Sequence, residues 1–266
     1  MCGIPAQLPQ KFKSFSAKTL ILQFPNSITV PPGVEYMNIR WTPTLGVKEA
    51  LDICGPLSKP SKMPCHGYAL PAYRCRLGSF LQQLPKAICF HCYALRGRYT
   101  FPRVKAAMDK RFKSLNHPRW IDAVTTLIYR SKDRYFRWHD SGDLQGLEHL
   151  QNIVHVCENL PRVKFWLPTR EYQTVEAYRR MGGIIPPNLC IRYSAHLVDG
   201  LPPREYRMPV SMVFSGRTGI PSGSHVCPAT MQNNTCGSCR ACWDRRVRTV
   251  TYHLKWAPPE LVRGAE

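Results

Sequence analysis

The chain has 266 residues, enough for one large α/β domain with a sizeable core. Lys and Arg number 37 against 17 Asp and Glu, and the formal charge of +20 favours an anionic partner, either nucleic acid or a phosphorylated small molecule. Twelve cysteines are too few for a disulfide scaffold, and without a secretory core or an apolar run of roughly 18 residues the chain reads as soluble, reducing-compartment and cytoplasmic, with no membrane partner.

Residues 1–60 are proline-rich and weakly patterned, and are expected to form an N-terminal β extension. Lys18–Phe24 and Val34–Thr42 are its candidate strands, with Pro31-Pro32-Gly33 turning between them. Residues 61–266 are expected to form a single α/β domain.

Cysteines come first in that domain. Cys65 and Cys75 lie in the loop-like run SKMPCHGYALPAYRC, and Cys89 and Cys92 follow in ICFHCYAL. Cys75, Cys89 and Cys92 make a candidate three-thiolate metal site, with Cys65 or His66 as the fourth ligand. The competing reading of Cys65 and Cys75 is that they are small apolar residues.

The pattern then turns helical. Pro102 opens one helix, with Val104, Met108 and Phe112 on one face. Trp120–Tyr129 forms a second. From there strands and helices alternate. Tyr135–His139, Val163–Leu167, Leu189–Ser194 and Val210–Phe214 read as strands. An amphipathic helix runs from Leu144 to Cys157, and another spans Val175–Met181. Alternation of this kind predicts a parallel sheet or partial (β/α) barrel with right-handed crossovers. Ligands in such folds sit at the C-terminal strand ends. Polar residues recur there: His139 to Asp143, then Thr169 and Arg170, then Ser194 and His196.

The strongest chemical signal is Cys227, Cys236, Cys239 and Cys242, separated by eight, two and two residues. Two-residue gaps let thiolates of one loop converge on a single centre, and Gly237 eases the wrap. Four thiolates suit tetrahedral zinc or a 4Fe–4S cluster, and the spacing leaves both open. Four buried free cysteines, or two disulfides, is the competing reading. Val247–Leu254 closes the domain as a last strand.

Several motifs in this order resemble the phage gene product 88-like family: KMPCHGYALPAYRC, ICFHCYALRGRYTFPRV, FRWHDSGDL, FWLPTREY, IRYSAH, and CPAT with CGSCRACW. The resemblance spans roughly residues 60–255 and implies a phage or prophage origin and iron–sulfur binding. More distantly, Cys89-Phe90-His91-Cys92-Tyr93 followed by a helix looks similar to the cluster loop of radical S-adenosylmethionine enzymes. Ser141-Gly142-Asp143 looks like the run that holds the cofactor's amino group in those enzymes. Thirteen residues separate Cys75 from Cys89, a departure from the usual loop.

The first expectation is therefore an iron–sulfur protein with one or two 4Fe–4S clusters, in a redox or cluster-dependent enzyme. S-adenosylmethionine is a candidate cofactor and zinc the alternative metal. Asp143, Arg170 and Ser141 are the candidate catalytic residues. Ser141, Gly142, Asp143, Arg192 and Ser194 are the candidate cofactor-binding residues, since arginine's forked donors suit a carboxylate or phosphate. The second expectation is a zinc or iron–sulfur module that binds nucleic acid through Arg134-Tyr135-Phe136-Arg137-Trp138. The third is a hydrolase using His139, Asp140 and Ser141.

Overall fold

The computed structural model describes residues 41–202, 207–216 and 219–254. The expected strand Lys18–Phe24, all but the last two residues of Val34–Thr42, and the tail from residue 255 lie outside them. The first element described is a helix, α1 (Val47–Cys54), which the sequence had not singled out. Its Ala50 and Cys54 enter the main core, so residues just before position 60 take part in that core.

Among the described residues seven parallel strands follow: β1 (Gly67–Tyr68), β2 (Tyr135–Trp138), β3 (Lys164–Thr169), β4 (Leu189–Ser194), β5 (Val210–Phe214), β6 (His225–Val226) and β7 (Thr249–His253). They form one sheet in the order β1-β2-β3-β4-β5-β7-β6. The α/β class and the parallel sheet are as the sequence predicts. The five longer strands lie within two residues of their expected bounds. The two-residue strands β1 and β6 close the edges.

Long crossovers carry the helices. Between β1 and β2 lie α2 (Arg76–Leu81), α3 (Pro102–Lys113) and α4 (Trp120–Ser131). Pro102 opens α3, where its missing N–H costs nothing, and Lys110, Arg111 and Lys113 sit in the last turn, complementing the helix dipole. α5 (Leu147–Asn159) and α6 (Tyr172–Arg180) connect the next strands.

Side chains alternate across a strand, so each strand serves two faces. Phe136, Trp138, Phe165, Leu167, Ile191 and Tyr193 point into the main core with α1, α4, α5 and α6. Phe136 and Phe165 meet edge to face at 5.8 Å. The opposite face presents Tyr135 and Trp166. It is covered by Met63, Cys65 and Trp243, with Cys236, Cys242 and Tyr252 packed alongside. One face is thus a helical core and the other a floor for cysteine-bearing loops. No helix among the described residues is long and apolar enough to cross a membrane.

Candidate functional site

The described cysteines are all free thiols, so the two-disulfide reading is not met among them. The seven candidate metal ligands among them sort into two groups. Cys75, Cys89 and Cys92 form the first, at the C-terminal ends of the strands. Burial pushes the Cys75 thiol well up, and Asp143, Cys92 and Cys89 raise it further, while Arg170 opposes them. Cys89 and Cys92 are also raised, chiefly by burial, and both feel Arg170. A Cβ added to Gly78 of α2 would lie 2.7 Å from the Cys75 Cβ, 3.5 Å from its sulfur and 3.8 Å from the Cys89 sulfur. Glycine there keeps open the space beside two thiols.

Strand ends hold this group in place. Leu70 N–H donates to the Ser141 carbonyl at 2.8 Å, Leu77 N–H to Glu171 Oε1 at 2.9 Å, and Ile88 N–H to the His196 carbonyl at 2.9 Å. The loops after β2, β3 and β4 therefore each grip the segment that carries the three cysteines.

Asp143 and Arg170 fall beside this group. Asp143 Oδ1 accepts from Thr169 Oγ1 at 2.6 Å and Leu144 N–H at 2.7 Å, and Oδ2 accepts from Arg170 N–H at 2.9 Å. Burial still pushes its carboxyl up to about 6, against those three hydrogen bonds. Arg170 Nε donates to the Ala195 carbonyl at 3.0 Å. Gly142 has φ of +85°, and a Cβ there would meet the Leu70 Cβ at 2.6 Å. Its role is close backbone approach.

Cys227, Cys236, Cys239 and Cys242 form the second group, over the sheet's other face. Cys236 is raised by burial and, further down, by Cys227 and Cys239. Burial pushes Cys242 up to about 11, Cys227 adding to it and the Tyr252 hydroxyl at 3.1 Å opposing. His225 Nε2 lies 3.3 Å from the Cys239 sulfur, a hydrogen-bonding neighbour. Gly237, Asn233 and Asn234 all take positive φ, which lets the loop wrap. Among the described residues, no group of three or more His, Cys, Asp or Glu side chains is placed to hold a metal ion.

The structure relocates several expected residues. Cys65 does not join Cys75. It sits beside the second group, raised to about 12 by burial first and by Asp133 and Cys236 in smaller part. His66 turns to Asp133, with Nδ1 at 2.7 Å. Arg192 is fully buried beneath the second loop, and its two terminal nitrogens donate to the carbonyls of Val210, Val247, Ala241 and Asp244. Those donors position backbone. Ser194 shares a hydrogen bond with Ser211 at 3.0 Å.

The expected hydrolytic trio does not assemble. His139 Nδ1 lies 3.2 Å from the Tyr68 carbonyl, Asp140 accepts from Ser58 and Tyr99, and the buried Ser141 hydroxyl has no partner. The YFRW run is not a free surface either. Phe136 and Trp138 are in the core, and the Arg137 guanidinium lies 4.4 Å over the Trp166 ring.

Sequence reasoning offered Arg137 only as a nucleic-acid contact; the structure places it between the two groups. It donates to Tyr93 at 3.5 Å on the side of Cys92 and to the Met63 sulfur at 3.6 Å on the side of Cys65. Only the i, i+2 alternation from Tyr135 could have placed it on the loop-bearing face.

No curated protein and no solved structure matches the chain. The family model described as gene product 88 matches residues 45–245, which includes the first group, all of the second, and the strands between. The chain belongs to the gene product 88 family.

Proposed function

We propose that this chain is an iron–sulfur protein with two separate centres, serving redox or cluster-dependent catalysis. Cys75, Cys89 and Cys92 would hold a 4Fe–4S cluster. Cys227, Cys236, Cys239 and Cys242 would hold a second, closed centre. The observation that supports this most is the sorting of seven thiols, drawn from distant segments, into a three and a four.

The donors suit the group. Thiolates are the soft ligands that iron–sulfur centres take. Gly78 leaves room beside Cys75 and Cys89. The buried Nε2 of His91, between Cys89 and Cys92, has no protein partner. Zinc, which takes four thiolates at about 2.3 Å, is the alternative metal.

A cubane held by three thiolates supplies one iron able to take a further ligand. The chain's own residues would orient that ligand. Arg170 brings a permanent charge and forked donors for a carboxylate or phosphate. Asp143 fixes the backbone from which Arg170 projects, and its Oδ2 keeps a lone pair for a ligand amine. S-adenosylmethionine is the candidate that carries both carboxylate and amine. β1 to β5 lie side by side in chain order, the progression of a partial barrel, which is the finer shape we propose.

The test is anaerobic purification with iron, sulfide and zinc assays and Mössbauer and paramagnetic resonance spectra. A brown protein with iron and sulfide in equal amounts is expected. A colourless protein carrying stoichiometric zinc would overturn the proposal.

A further inference from the structure

Residues 53–108 contain nine lysines and arginines and no aspartate or glutamate. This is the segment that delivers Cys75, Cys89 and Cys92. It also concentrates exposed rings. Tyr73, Phe80, Phe90, Tyr93 and Phe101 are each between 43% and 60% exposed. Burial would normally claim such rings, so five on one stretch are informative.

The elements that carry them pack against one another in series. The 3₁₀ turn Ala72–Arg74 packs on α2 and on the turn Tyr93–Leu95. That turn packs on Gly97–Thr100, which packs on the start of α3. Tyr93 and Tyr99 meet at 5.7 Å. Arg76, Arg96, Arg98 and Arg103 are exposed among them. The acid that follows the stretch, Asp109, is already engaged by the Tyr73 hydroxyl at 2.5 Å and by Arg74 at 3.8 Å.

We propose that this rim docks a single-stranded polynucleotide across the mouth of the first thiol group. Bases would stack on Phe80, Phe90, Tyr93 and Phe101, while the arginines meet phosphates. Interleaved rings and cations, whose neighbouring acids Asp109 and Asp140 are already hydrogen-bonded, fit a strand, because every base offers a π face and every linkage a negative charge. A duplex hides those faces. As a statement of substrate class, this rests on the iron–sulfur proposal; as a binding surface it stands apart from it.

The experiment is fluorescence anisotropy of a labelled oligothymidylate with the full chain, purified anaerobically, over a salt series. The single strand should bind at low salt and lose affinity steeply as salt rises, and a duplex of equal length should bind more weakly. Phe80→Ala and Phe101→Ala should each weaken binding about tenfold. Arg98→Gln should flatten the log–log salt slope by about 0.7. Ile184→Ala, at an exposed site on the connection from α6 to β4, should change nothing. No binding at low salt overturns the proposal. So does equal affinity for duplex, or ring variants that bind like the parent, since charge alone would then explain the contact. Iron and sulfide assays on the same sample separate the two proposals. Iron-loaded protein that ignores the strand sinks only the docking surface, and metal-free protein that binds it sinks only the cluster.

Discussion

Arg192 Nη2 donates to the carbonyl of Ala241 at 3.2 Å, linking positions 49 residues apart. The same guanidinium reaches Asp244 and Val247, so one buried side chain on β4 fixes the end of the second cysteine loop. Arg192→Met should leave these buried carbonyls unpaired and cost about 3 kcal/mol or more. A lowered urea midpoint with an unchanged m-value checks the cost. On the two-centre proposal, metal assays should show the second centre depleted and the first retained.

On the same proposal, the two groups should lose metal independently. Cys89→Ala should remove the iron of the first group only, and Cys239→Ala that of the second only. Residual iron after each substitution, with the resonance spectrum of what remains, decides it. If either single change empties both groups, the thiols share one centre.

Two glycines guard the first group in different ways. Gly78→Ala would push a methyl against the Cys75 Cβ at 2.7 Å, so its main effect should fall on metal content. Gly142→Ala faces a positive φ and the Leu70 backbone oxygen at 2.9 Å. It should cost about 2 kcal/mol or more in stability. Denaturation and iron assays on both variants separate these outcomes.

Two buried histidines should make the protein acid-labile. Burial lowers His139 from 6.5 to about 3, and His149 is also well below its ordinary value, again through burial and then through His139. Their rings are 5.1 Å apart. Below pH 6.5 the unfolded chain binds protons that the folded chain refuses. Stability is therefore full above that pH and falls as pH drops toward 3. The slope should approach about 1.4 kcal/mol per pH unit for each histidine. Urea titrations at several pH values should show it, and His149→Gln should roughly halve it.

Legibility in the sequence followed pattern length. β4 and β5 were readable to the residue because five or six residues of apolar and β-branched character stand between clear turns. β1 and β6 have two residues each, too few to show a period. α1 was hidden in a stretch whose prolines and glycines dominate, though Ala50 and Cys54 lie one helical turn apart. The cysteine spacing was legible as two runs of thiols. The partners of Cys65 and the purpose of Arg192 were not.

The sequence by itself determined the alternation of strands and helices and the two runs of thiols, because both are local patterns written in residue spacing. Only the tertiary structure decided which cysteines are neighbours, that Cys65 lies with the later group, and that Arg192 faces inward toward backbone. Those outcomes depend on which side of a strand a residue falls and on which loop crosses above it. The register of a sheet assembled from distant segments sets both.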